Sequence, residues 1–143
     1  MKKVYLASPF FNDAEIERME KVKNILRDRG LDVFVPSEHQ NPQFEFGSRE
    51  WRKATFDSDV MGIHCADIVV AIICNGNYSD SGTAWEIGYS FALGKPVVVV
   101  NLTGETINLM IADSIHALIT SYDELKEYDF EKMEKKPYLN YVW

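Results

Sequence analysis

Residues 68–100 read IVVAIICNGNYSDSGTAWEIGYSFALGKPVVVV. Ile68 to Ile73 is an unbroken apolar run, the pattern of a strand covered on both faces. A second such run, Pro96 to Val100, ends the stretch, and the segment between them predicts a helix from about Gly82 that stops at Gly94. Strand, helix and strand in that order make a right-handed crossover between parallel strands.

The same alternation continues outward on both sides. Val4-Tyr5-Leu6-Ala7 is a short apolar strand. Asn12 or Asp13 caps a helix to about Arg29, with Ile16, Met19, Val22, Ile25 and Leu26 on one face and Gly30 as its stop. Asp32 to Val35 is a second strand, ended by Pro36. After a polar loop with Pro42 and Gly47, a second helix from Ser48 carries Trp51, Ala54, Phe56, Val60 and Ile63. Beyond Val100, Thr106 to Ala112 predicts a short helix, His116 to Ile119 a fifth strand, and Tyr122 to Glu127 a last helical piece. The order βαβαβαβαβ predicts an α/β fold: a flavodoxin-like, doubly wound, five-stranded parallel sheet of order 2-1-3-4-5 with helices on both faces. At 143 residues, one domain over 1–143 is expected. The tail ends PYLNYVW, and so apolar an end is expected to dock on its own subunit or a neighbour.

Hydrophobic residues make up 46% and charged residues 26% of the chain, a globular composition. No apolar run approaches the roughly 20 residues that span a bilayer, and MKKVYLASPFF is too strand-like for a secretory signal. Cys65 and Cys74 lack metal-ligand spacing and read as reduced core residues, so a cytoplasmic location is expected. A net charge of −7 argues against a nucleic-acid polymer as partner. The basic residues Arg18, Lys21, Lys23, Arg27 and Arg29 read as a solvated helix face.

In an open parallel sheet, ligands bind outside the carboxyl ends of the strands. The segments there are Ser8 to Asp13, Pro36 to Gly47, Asn75 to Gly82 and Asn101 to Asn108. The first, within ASPFFND, has neither glycine nor basic residue, which disfavours a phosphate cradle and points to an uncharged polar ligand. Asp59, Asp80 and Glu86 converge on that edge in otherwise apolar surroundings, where carboxylates are rarely placed without a role. Each has a purely structural reading as well. Thr83-Ala84-Trp85-Glu86 fits a capping box, Asp80 fits a turn, and Asp59 fits a solvated helix position. Spacing alone gives a carboxylate-bearing pocket for a neutral polar ligand.

YLASPFFN, DSGTAWEIG, INLM at 107–110 and the aromatic C-terminus together resemble the nucleoside 2-deoxyribosyltransferases, in order and spacing, through nearly the whole chain. The resemblance implies transfer of 2-deoxyribose between nucleobases on a flavodoxin-like fold, with no cofactor and no metal. It implies Glu86 as nucleophile, Tyr5 as the residue that orients it, and Asp59 as the acid/base at the nucleobase. It further implies Asp80 at the sugar hydroxyls, Gln40 at the base, Asn108 and Met110 contributed by a neighbouring subunit, and the C-terminal aromatic end closing the site; Gly82 and Phe11 are also expected among the substrate-binding residues. That end is Trp143, where relatives often carry Tyr. The implied partners are 2-deoxynucleosides and free purine or pyrimidine bases, and the implied assembly is a homo-oligomer, a hexamer built as a trimer of dimers. DSGTAWE leans towards the broad-range, purine- and pyrimidine-exchanging type.

The residue types suit this chemistry. A carboxylate below the sugar ring captures the oxocarbenium-like C1′, and a second displacement restores the β configuration. Glu86 is expected to be ionised, favoured by the Tyr5 hydroxyl and the helix N-terminus, and Asp59 to hold its proton more tightly than usual. Phe10, Phe11, Phe44, Phe46, Trp85 and the C-terminal aromatics either wall the pocket against water or pack the core. Two other readings stand beside transfer: an N-glycosidase that hydrolyses nucleosides or their 5′-monophosphates, and a non-catalytic nucleoside sensor.

Overall fold

The computed structural model describes residues 1–74, 76 and 79–142. The strands are β1 (Lys3–Ala7), β2 (Asp32–Phe34), β3 (Ile68–Ile72), β4 (Val97–Val100) and β5 (Ala117–Ile119). The helices are α1 (Asp13–Asp28), α2 (Arg49–Cys65), α3 (Ser81–Ala92), α4 (Leu109–Ala112) and α5 (Tyr122–Glu127), with a 3₁₀ turn at Pro36–Glu38. All strand pairs are parallel, in the order β2-β1-β3-β4-β5. This is the flavodoxin-like arrangement that the alternating pattern predicts.

Side-chain alternation along each strand sorts the interior into two layers. Val4 and Leu6 of β1, with Val70 and Val98, meet Met19, Val22 and Leu26 of α1 and Leu125 of α5. Tyr5 and Ala7, one residue out of phase, join Val69 and Val99 on the other face with Ile63 of α2, Ile87 of α3 and Ile111 of α4. The register Tyr5↔Val69 thus turns the Tyr5 ring towards α2 and α3.

The helices begin where capping side chains fall. Asn12 accepts from the Glu15 amide at 2.9 Å, and Glu15 reaches back to the Phe11 amide at 2.9 Å. Ser48 accepts from Trp51 N at 3.1 Å. Such caps satisfy donors that the first helical turn leaves orphaned.

Several expectations are corrected. Cys65 is exposed at the end of α2; Cys74 alone is buried. Of α2, only Gly62 and Ile63 are buried, and Phe56 is 57% exposed, because the helix's first half stands off the sheet. The helix expected from Thr106 starts only at Leu109, since Asn108 is its cap and Ile107 instead bridges Val142 of the tail. The tail docks on its own chain: Leu118 N donates to Lys136 O at 2.8 Å, extending the sheet past β5. Leu139 and Tyr141 nevertheless remain exposed. No helix among the described residues is long and apolar enough to cross a membrane.

Candidate active site

The site grows from the β3–α3 crossover. Asp80 caps α3: its Oδ2 accepts from Thr83 N and from Thr83 Oγ1, each at 2.8 Å. The cap position is therefore taken six residues before Glu86, so Thr83 and Glu86 do not form a capping box. Glu86 is released to point across the sheet edge, where the Tyr5 hydroxyl donates to its Oε2.

Tyr5 is fully buried, and burial first, then the nearby charges of Glu86 and Asp59, drives its pKa far above the usual phenol value. The hydroxyl is accordingly a permanent donor. Burial also pushes the Glu86 carboxyl up to about 7; the Tyr5 hydrogen bond pulls the other way, and Asp59 and Asp80 add like-charge repulsion. The expectation of a simply ionised Glu86 is thus corrected: desolvation outweighs the one hydrogen bond that favours the charge.

Asp59 faces the same space from α2. Its Oδ1 is buried with no hydrogen-bond partner among the described residues, and burial pushes its pKa up to about 6. An unpaired buried carboxylate oxygen costs stability and marks a place prepared for another group. Asp59, Phe56, Val60 and Ile63 of α2 and Gly82, Trp85 and Glu86 of α3 line a cleft of about 310 Å³. It shares Phe56 and Asp59 with a groove of about 850 Å³ along the first half of α2, past Trp51 and Thr55. Both fall in the ~300–1,000 Å³ range of small-molecule sites.

Tyr5, Asp59, Gly82 and Glu86 are therefore brought together, with Asp80 at the rim. Others are not. Gln40 is exposed; its side-chain amide donates to Ser37 O at 2.7 Å, and its backbone carbonyl accepts from the Trp51 indole at 2.8 Å, fastening it beside the wider groove. Phe11 stacks on Phe10 at 5.9 Å and is exposed rather than in the cleft. Asn108 caps α4 by accepting from Met110 N at 2.9 Å. With Met110, which is 74% exposed, it lines a separate cleft of about 520 Å³ against Ala84, Gly88 and Phe91, another stripe of α3. Trp143 lies outside the described residues.

Of the expected aromatic wall, Trp85 lines the cleft, whereas Phe10 packs on the core. Phe46 packs on Trp51, beside the wider groove. Phe56 is an unanticipated wall residue, its ring 5.8 Å from Trp85. Its spacing three residues before Asp59 was the available signal, but it reads equally as a core position. Among the described residues no cluster of His, Cys, Asp or Glu is placed to hold a metal ion.

The sequence profile of the family described as nucleoside 2-deoxyribosyltransferase matches residues 4–127. A nucleoside deoxyribosyltransferase of Limosilactobacillus fermentum is 28% identical over 156 aligned positions, spanning 95% of this chain and 90% of that protein. The structure of a 2-deoxyribosyltransferase from Bacillus psychrosaccharolyticus superposes with a TM-score of 0.92 at 50% identity, covering 96% of this chain and 99% of the other. A CMP N-glycosidase of Clostridium botulinum shares the fold alone, at 22% identity and a TM-score of 0.61 over 88% of this chain and 95% of its own.

Proposed function

The chain belongs to the nucleoside 2-deoxyribosyltransferase family of transferases, and from that premise we propose that it exchanges nucleobases on 2-deoxyribose through a covalent deoxyribosyl ester of Glu86. The observation that carries this reading is the meeting of Tyr5-anchored Glu86 and the unpartnered Asp59 oxygen in one cleft.

The ionised Glu86 attacks C1′ from below the ring. The bond from C1′ to the base nitrogen breaks as a bond to the carboxylate oxygen forms, and the departing base takes a proton from Asp59. The second base attacks C1′ from above, gives its proton to Asp59, and the ester electron pair returns to Glu86. Two inversions leave the β configuration unchanged. The reactive state needs Glu86 ionised and Asp59 protonated. With carboxyls at about 7 and about 6 that repel one another, a single proton on the pair rests more on Glu86 than on Asp59, so the reactive arrangement is the less populated of the two singly protonated forms. A deoxyribosyl donor suits this route, because no 2′-hydroxyl withdraws electrons from the forming cation.

Asp80 keeps one carboxylate oxygen beyond its cap for a sugar hydroxyl, and Trp85 and Phe56 shield the ester from water. Asn108 and Met110, at the start of α4 and against a different stripe of α3 from the one that carries Glu86, reach the sugar of a neighbouring subunit, which makes the working unit an oligomer with shared sites; a hexamer built as a trimer of dimers is the proposed form. Both purines and pyrimidines are exchanged.

The deciding experiment incubates the protein with thymidine and adenine. Deoxyadenosine as product supports transfer; free sugar and thymine alone would replace the transferase by a hydrolase, and no turnover by a sensor.

A further inference from the structure

Gly62 is an interior residue of α2, where glycine is the poorest helix former after proline. The reason for it lies on the sheet face that α2 covers. A Cβ on Gly62 would stand 2.9 Å from Tyr5 Cδ2 and 3.0 Å from both Cδ1 and Cε1 of Phe34, closer than side chains pack. Tyr5 and Phe34 are register partners in β1 and β2, so their rings lie side by side on one face, with centroids 5.6 Å apart and planes 14° from parallel. Phe34 in turn stacks on His39 at 4.3 Å. The Tyr5 ring is held by Phe34 on one flank and by the bare backbone of α2 on another, and it is the hydroxyl of that ring that meets Glu86.

We infer that Gly62 and Phe34 are positioning residues: they form the seat that sets the Tyr5 ring at the depth where its hydroxyl reaches Glu86. The inference rests on the reading of Glu86 as the nucleophile. Gly62 lies one turn after Asp59, so the helix that carries the acid also carries the seat, and the approach of α2 to β1 sets both at once. The groups that face Glu86 are Tyr5 from β1, Asp59 from α2 and Asp80 from the start of α3; of these, only Tyr5 favours the ionised carboxylate.

The test uses the full chain carrying Gly62→Ala. Its methyl group displaces the Tyr5 ring, and kcat for base exchange is expected to fall about 10- to 100-fold, as for a reacting group moved by roughly 1 Å, with KM little changed. The second readout needs no turnover: the titration of the Glu86 carboxyl, followed by carbon NMR of side-chain-labelled glutamate and assigned by its loss in Glu86→Gln. The midpoint is expected to rise in Gly62→Ala, because the donor that stabilises the charged form is drawn away. It should rise likewise in Tyr5→Phe, and adding Gly62→Ala to Tyr5→Phe should move it no further. Phe34→Leu, which leaves α2 untouched, should shift it in the same direction by less, and this variant decides the matter if Gly62→Ala does not fold.

A lowered kcat with an unmoved midpoint, or a further shift on top of Tyr5→Phe, would overturn the seat and leave Gly62 a packing residue. Undiminished exchange by Glu86→Ala would instead remove the nucleophile assignment, an outcome the titration distinguishes.

Discussion

Under one face of the sheet, α1 and α5 bury Met19, Val22, Leu26 and Leu125 against Val4, Leu6, Val70 and Val98, and Tyr128 and Phe130 complete the layer. Under the other face, α2 gives only Gly62 and Ile63 to the interior and leaves Phe56 and Met61 in solvent, and α3 leaves Trp85 and Phe91 out as well. The first face is filled; the second keeps a cleft whose walls are apolar and whose floor holds desolvated carboxyls. A stable sheet needs one well-packed layer at least, and that layer supports a second one whose groups are placed for chemistry at a cost in stability.

The sharpest way to break this contrast is Glu86→Ala. Exchange should fall by at least ~10⁴-fold, as when a covalent nucleophile is removed, while the melting temperature stays level or rises because a desolvated carboxyl has gone. A large loss of stability would mean that Glu86 belongs to the packing after all. Asp59→Asn should slow exchange by about 10²–10⁴-fold, the usual worth of a positioned acid, with the greatest loss for leaving bases that need protonation. Equal slowing across bases of different basicity would assign Asp59 a binding role.

The converse probe is Leu26→Ala on the packed face. It should cost about 2–5 kcal/mol, read as a lowered denaturation midpoint, and leave kcat per folded molecule unchanged. A lowered kcat would show the two faces to be coupled. The smallest effect concerns pH. Asp59 and Glu86 have folded-state pKa values of about 6 and about 7, raised from 3.8 and 4.5. A raised carboxyl means that the folded state binds protons more tightly than the unfolded one, so stability is lost as pH rises from about 4 through 7. Discounted for the solvent that reaches both groups, the melting temperature should drop by about 2–4 °C between pH 5 and 8, and Glu86→Gln should flatten that slope. A rising melting temperature over this interval would contradict the assigned desolvation.

Much of this was legible in the sequence, for reasons particular residues make plain. The runs at 68–73 and 97–100 announce buried parallel strands, Asn12 and Ser48 announce helix starts, and the clustering of Asp59, Asp80 and Glu86 at one sheet edge follows from the order of the elements. What stayed open or misled was locally ambiguous chemistry. Thr83 with Glu86 has the spacing of a capping box, yet Asp80 holds the cap. Phe56 has the spacing of a core residue, yet α2 stands off the sheet there. Cys65 sits in an apolar run but on the outward side of a helix end.

By itself, then, the chain's pattern of apolar periods, caps and breakers determined the element types, the parallel order and which end of the sheet would bear polar groups, because those depend on residues a few positions apart. The Tyr5 hydroxyl, 81 residues away, entered as the partner of Glu86 only through the family resemblance; only the tertiary structure decided that an Asp59 oxygen would be left without a partner and that Gly62 would give the Tyr5 ring its place. Such pairings follow from strand register and from how closely a helix settles on the sheet, which are set by the packing of the whole interior and leave no local mark.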